Sequence, residues 1–255
     1  GDELEALADE FNQTTARLQD SQTNLEQKVQ ARTADLTQSL EQQTATAEVL
    51  KVMSSSPTDV QPVFDAMVRN SVVLCDALFG AVFRFDGELI HFVAQHNLTP
   101  GVLELLDRLY PMRPSRDQAT GRVILNGALV HVHDALNDPD YRREVAERGG
   151  WRSMLAVPMS REGSTVGVIW VARASEGPFP DSQVTLLQTF ADQAVIAIEN
   201  VRLYSETTEA LEQQTAASEV LRVISSSPAD TQPVFDMIAQ RAMQLCGSQF
   251  CAVFR

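Results

Sequence analysis

Cysteine is scarce: the 255-residue chain has three, none lies between Cys75 and Cys246, and no two have CxxC spacing. That pattern argues against a disulfide framework and for a reducing compartment, so a cytoplasmic location is expected. Basic residues are also few. The balance of 20 Lys and Arg against 34 Asp and Glu leaves a formal charge of −14, and no Lys/Arg cluster could follow a phosphate backbone, so no nucleic-acid partner is expected. Apolar runs such as Ala194–Ile198 and Ser71–Cys75 fall far short of the roughly 18 residues a membrane-spanning helix needs. A basic-then-apolar leader and an initiator Met are both missing, which leads to the expectation that the chain is a slice of a longer protein.

What is present suffices for a core: hydrophobic residues make up 44% and charged residues 21%, the balance of a globular domain. The chain also repeats itself. Leu40-Glu41-Gln42-Gln43-Thr44-Ala45 recurs at Leu211–Ala216, and the same shift of 171 residues carries Ser54-Ser55-Ser56-Pro57 onto Ser225–Pro228. It also carries Gln61-Pro62-Val63-Phe64-Asp65 onto Gln232–Asp236 and Ala81-Val82-Phe83-Arg84 onto Ala252–Arg255. About 27 of the 45 positions from Leu40 to Arg84 are identical to their partners. So long a period is a linker helix plus a whole domain rather than a solenoid unit. The expected division is 1–56 as a helical lead, 57–204 as a domain, 205–227 as a second linker repeating 34–56, and 228–255 as the truncated start of a second domain.

Residues 2–56 hold neither Gly nor Pro. Apolar residues fall at Leu4, Phe11, Leu18 and Leu25, and after a step of four the series continues as Val29, Leu36, Gln43 and Leu50. This is a coiled-coil seam with a stutter, which locally unwinds a supercoil. A seam needs a partner helix, so a parallel homodimer is expected. The ten acids and four bases of this stretch read as solvated faces.

The period then changes. An amphipathic helix is expected from about Asp59, with Val63, Phe64, Met67 and Val68 on one stripe. Ala81–Phe85 and Leu89–Gln95 read as strands joined at Asp86-Gly87. Short helices follow at Pro100–Leu109 and Gly121–Leu125, a strand at Leu129–Val132, and a polar helical stretch from Asp138 to Gly150. Strands at Ser153–Met159 and Val166–Ala172 meet through Glu162-Gly163, and Pro180-Asp181 caps a long helix with no evident stop. The class is α+β: an antiparallel sheet with helices on both faces, flanked by long coiled-coil helices.

This order of elements resembles a GAF domain over about Pro57–Tyr204. The motifs that carry the likeness are Ala81–Gly87, Val130-His131-Val132-His133-Asp134, Met154–Met159, Val166-Gly167-Val168-Ile169, and Phe179-Pro180-Asp181 leading into Phe190-Ala191-Asp192-Gln193-Ala194. Asp2-Glu3-Leu4 with Phe11-Asn12 and Leu18 is similar to the last helix of a HAMP linker, and Leu25-Glu26 through Arg32-Thr33 continues as a signalling coiled coil. Together these resemble the sensor region of multi-GAF histidine kinases. The resemblance implies a sensory and relay segment of a two-component protein, the cytoplasmic part of a membrane-anchored chain whose kinase domain lies downstream. No phosphoacceptor helix, nucleotide lid or phosphate loop is found, so the segment itself is not expected to be an enzyme. The alternatives are the GAF regulatory region of a cyclase or phosphatase, and a ligand-free dimerisation module.

The cofactor stays open. The cysteine gap disfavours attached bilin, iron–sulfur ligation and thiol-based sulfoxide reduction. Cys75 and Cys246 read as packing residues. Phe190-Ala191-Asp192-Gln193 departs from the cyclic-nucleotide signature of such domains, and no matching Lys is present. Haem would draw on His91, His96, His131 or His133. His131 and His133 share a strand face that could hold a metal, but only Asp134 could support them, so no metal is expected. The family's usual cavity lies between the sheet and the middle helices. Tyr141, Trp151, Arg152 and Met154 fall beside it with Phe83 or Phe85 as floor, a setting for a flat, partly anionic small molecule. The alternative for Trp151 and Tyr141 is closure of the domain core.

Overall fold

The computed structural model describes residues 2–226 and, beyond them, Phe235, Asp236, Ala239, Gln240, Met243 and Phe250; for 2–17, 19, 20, 34, 35, 38 and 219–226 it describes the backbone only. The expected second-domain start at 228–255 therefore lies almost wholly outside the described residues, as do the side chains of Leu4 and Phe11. Two units are distinguished: Gly1–Ser56 with Gln61–Val195, and Pro57–Val60 with Ile196–Arg255.

In the first unit, α1 (Asp2–Ser55) is one unbroken helix, as a stretch without Gly or Pro allows. The residues expected to form a seam are exposed: Leu18, Leu25, Val29 and Leu36 are each more than half exposed, and Leu50 is 49% exposed. Near its C-terminal end the helix turns another face inward. Ala45 and Val49 are buried where α1 packs on α2 (Gln61–Leu74), and Glu48 accepts from Arg69 and Asn70 of α2, both at 3.2 Å. Helix α2 starts at Gln61 rather than Asp59 and buries Val63, Phe64, Met67 and Val68.

Five antiparallel strands follow: β1 (Phe79–Phe85), β2 (Ile90–His96), β3 (Val130–Val132), β4 (Ser153–Arg161) and β5 (Ser164–Arg173), in the order β2-β1-β5-β4-β3. Between them lie α3 (Pro100–Leu109), α4 (Ala119–Asn126) and α5 (Arg143–Gly149), and α6 (Asp181–Ser226) closes the order. Period-two alternation sorts the strand residues. Phe79, Ala81 and Phe83 join Ala156, Val168 and Trp170 in the core shared with Val102, Leu106, Val123 and Val145 of the middle helices. Gly80 faces the other way, where a Cβ would stand 3.0 Å from Val72 of α2. In α6, Leu187, Phe190 and Ala191 are buried, and Gln183 bonds to the Leu74 carbonyl at 3.3 Å.

The tight turns come from local chemistry. Between β4 and β5, Glu162 and Gly163 both take positive φ, 50° and 80°, the pairing a two-residue hairpin requires. Between β1 and β2, the Asp86 carboxylate accepts from the N–H groups of Leu89 at 2.7 Å and Glu88 at 2.9 Å. Those bonds, Leu89's first, hold its carboxyl well below the usual carboxylate range. The polar stretch after Asp138 differs from expectation: α5 begins only at Arg143. Asp138 accepts from the N–H groups of Asp140 and Tyr141, each at 3.0 Å, and so holds a turn where a helix would otherwise start.

Candidate functional site

A small, partly open cavity lies between the sheet and the middle helices. Leu106 and Tyr110 reach it from the end of α3, Gln118, Ala119 and Thr120 from the start of α4, and Tyr141 and Val145 from the turn before α5 and from α5 itself. Trp151 and Met154 enter from around the start of β4 and Trp170 from β5. Its volume is about 10 Å³, the space of roughly one water molecule. The walls are packed tightly enough to dictate backbone composition. A Cβ on Gly149 would come within 1.6 Å of the Trp151 ring, and one on Gly121 within 2.0 Å of the Ser115 carbonyl.

Polar groups in this wall are partly satisfied. The Tyr110 and Thr120 hydroxyls share a 2.7 Å hydrogen bond, and the Tyr141 hydroxyl donates to the Met154 sulfur at 3.6 Å. Burial pushes both phenols well above the ordinary tyrosine range. Among the described residues, four buried side-chain polar atoms have no hydrogen-bond partner, and two belong to the cavity wall: Gln118 Nε2 and Trp151 Nε1. The indole N–H, although outside strict hydrogen-bond geometry, still acts on the Tyr141 hydroxyl as a donor and opposes the upward pull of burial on that phenol.

Charges surround the cavity but do not line it. Arg122 of α4 grips Asp138 through two bonds of 2.7 and 2.8 Å, both side chains less than a fifth exposed, and its guanidinium lies 5.8 Å from the Tyr141 ring centroid. Arg142 pairs with Asp117, which also accepts from Ser115. These pairs fasten the start of α4 to the turn before α5 and so fix both walls.

The structure brings Tyr141, Trp151 and Met154 together in the wall and places Phe83, Phe85 and Arg152 outside it. Phe83 is fully buried behind the wall, 4.7 Å from the Tyr110 ring and stacked on Trp170 at 6.1 Å. Phe85 packs at the edge of the core. Arg152 is held by Asp134 and by Glu176, the latter at 2.5 Å, and its bond to Asp134 pulls that carboxyl down to about 2. With Arg152 so engaged, the cation expected for an anionic ligand is not in the wall. None of the four histidines lines the cavity: His131 Nε2 accepts from the Phe179 N–H at 2.9 Å, beside the His133 ring at 4.5 Å, and His91 bonds Asp86 at 2.7 Å. Among the described residues no group of three or more His, Cys, Asp or Glu could hold a metal ion.

Residues 57–199 match the family model described as GAF domain. The chain belongs to the GAF domain family. Solved GAF structures share the fold. The GAF domain/HD domain protein from Geobacter sulfurreducens is 20% identical with a TM-score of 0.52, covering 58% of this chain and 97% of that one. The GAF domain of a phosphoenolpyruvate-protein phosphotransferase from Coxiella burnetii is 15% identical with a TM-score of 0.53, covering 66% and 98%. A dual 3',5'-cyclic-AMP and -GMP phosphodiesterase 11A from Takifugu rubripes is 25% identical over 138 residues, which make up 52% of this chain. The chain spans only 15% of that relative's length. GAF domains are regulatory sensory domains, and the cavity lies between the sheet and the middle helices.

Proposed function

We propose that this GAF domain is the sensory and relay region of a two-component signalling protein, set between a HAMP-like helix and a downstream histidine kinase domain. It works as a parallel homodimer on the cytoplasmic side of a membrane-anchored chain. The supporting observation is the division of labour within α1. One stretch of that helix leaves Leu18, Leu25, Val29 and Leu36 exposed at seam spacing, while another is docked on α2 through Ala45, Val49 and Glu48. A seam that gains its partner in the dimer thereby bears on the domain that walls the cavity, and α6 carries the change onward through its unbroken length to Ser226. Among the described residues no helix is long and apolar enough to cross a membrane.

The test is autophosphorylation of the full-length protein, with the product checked for the acid lability of phosphohistidine. Deleting four residues near Leu25 removes the stutter and is expected to change the rate. Acid-stable or absent label refutes the kinase reading, and an unchanged rate refutes relay through helix phase. The resemblance to a phosphodiesterase favours a second reading, a regulatory region ahead of a cyclase or phosphatase. It is supported if the full-length protein turns over a nucleotide or phosphoester and takes up no label.

A further inference from the structure

The chain just ahead of α6 is tied to β3 by two bonds of different kinds. The Gly177 N–H donates to the His133 carbonyl at 2.9 Å, as one strand would to another. Two residues on, the Phe179 N–H donates at 2.9 Å to a side chain, the Nε2 of His131. A backbone N–H can only donate, so that nitrogen must carry its lone pair, and the ring is the neutral tautomer with its proton on Nδ1. A second proton would go to Nε2 and set N–H against N–H. The bond would be lost, and the Phe179 donor, on a residue only 3% exposed, would be left without a partner.

The Phe179 ring lies 5.5 Å from the His131 ring and 4.0 Å from the Arg173 guanidinium. Arg173 also donates to the Cys75 carbonyl at 3.1 Å and to Gln183 at 2.5 Å, and the Gln183 amide donates to the Leu74 carbonyl. Gln183 stands in the first turn of α6, so Phe179 and that turn form one packed group resting on β3, β5 and the end of α2. The charges that act on His131 oppose a second proton: His133 of the same strand, 4.5 Å away, and Arg173 of β5. The carboxylates closest in sequence to His131 and Phe179 are Asp134, Glu176 and Asp181. Arg152 engages the first two, and none of the three is among the groups that act on His131. Burial, the largest influence, works in the same direction and holds the imidazole below its ordinary 6.5, so the bond is made at neutral pH and opens in acid.

We propose that His131 is a proton-operated latch: neutral, it holds Phe179 and the first turn of α6 against β3, and on taking a second proton it lets them go. A proton is then an input to this domain in its own right, separate from any ligand of the cavity. The latch is built from residues of the domain alone and stands whether or not a kinase lies downstream.

Hydrogen–deuterium exchange of the full chain from about pH 5 to 8, read by mass spectrometry on peptides covering 175–183 and corrected for the pH dependence of intrinsic exchange, tests the latch. Protection there is expected to fall about tenfold on acidification while β4 keeps its protection. His131→Gln supplies an acceptor that does not titrate in this range and is expected to abolish the fall. His133→Gln removes a neighbouring positive charge and is expected to keep the fall and move its midpoint to higher pH. No fall in the wild type, an equal fall in His131→Gln, or an equal loss across β4 overturns the latch. Should His131→Gln not fold, His133→Gln decides, and an unmoved midpoint overturns it.

Discussion

Arg122→Met tests how the cavity walls are held. The guanidinium makes two bonds to Asp138 and one to the Arg116 carbonyl at 2.6 Å, with the pair's side chains 13% and 19% exposed. Breaking a buried pair from one side costs about 3–5 kcal/mol, because the surviving charge is left uncompensated. Here both partners are only partly buried and Asp138 keeps two backbone N–H donors, from Asp140 and Tyr141, so the expected loss lies between that and the small value of an exposed pair, about 2 kcal/mol. Asp138→Asn alone leaves Arg122 without its counter-charge, and the double variant removes both charges, so the double is expected to cost less than the sum by about 1.5 kcal/mol or more. Urea unfolding followed by the buried tryptophans measures all four proteins at constant m. Acid supplies a second check. The Arg122 hydrogen bond, more than any other influence, holds the Asp138 carboxyl below its ordinary 3.8. The stability it contributes is therefore full above that value and is lost as pH falls through the lower folded value. The gap between wild type and Arg122→Met must narrow over that acid range. A single-variant cost under about 1 kcal/mol, or coupling under about 0.5 kcal/mol, refutes the clamp.

Two further outcomes follow from the same packing and hydrogen bonds. Gly149→Ala drives a methyl group into the Trp151 ring, 1.6 Å from its nearest atom, and should cost about 2–3 kcal/mol and blue- or red-shift the tryptophan emission; a neutral effect on urea unfolding contradicts the close packing. His131 is held below its ordinary 6.5 by burial first, then by His133 and Arg173, so the folded protein binds fewer protons there than the unfolded one. Stability should be full above pH 6.5 and fall as pH drops from there toward the folded value, and His131→Gln should flatten that slope in urea midpoints; an unchanged slope assigns it to another group.

Much of the fold could be read locally because its signals are local. Pro180-Asp181 opens α6, Glu162-Gly163 turns β4 into β5, and Pro100–Leu109 is α3 to the residue. Boundaries slipped where a side chain competes with the helix for backbone donors, as Asp138 does ahead of α5. The site was half legible. Tyr141, Trp151 and Met154 could be placed from the resemblance, and Trp170 could have been added from the alternation of β5, which sets it on the same face as Val168 and Ala172 in the core. Gln118 carried no signal, since its place in the wall and its lack of a partner emerge only in the packed structure. Arg152 misled for a related reason: the carboxylates that engage it, Asp134 and Glu176, lie 18 and 24 residues away in sequence.

The most direct test of the relay is disulfide trapping along α1. Cys75 is fully buried and its thiol is pushed up to about 12, so it stays unreactive, and Cys246 and Cys251 are replaced by Ser in the background chain. With Leu25→Cys, mild oxidation is expected to link two copies rapidly at the same position, as a parallel in-register seam requires. Gln27→Cys, on the opposite face of the helix, should stay monomeric on a non-reducing gel. Equal linking at both positions, or none at Leu25→Cys, contradicts a parallel dimer and the signalling route built on it.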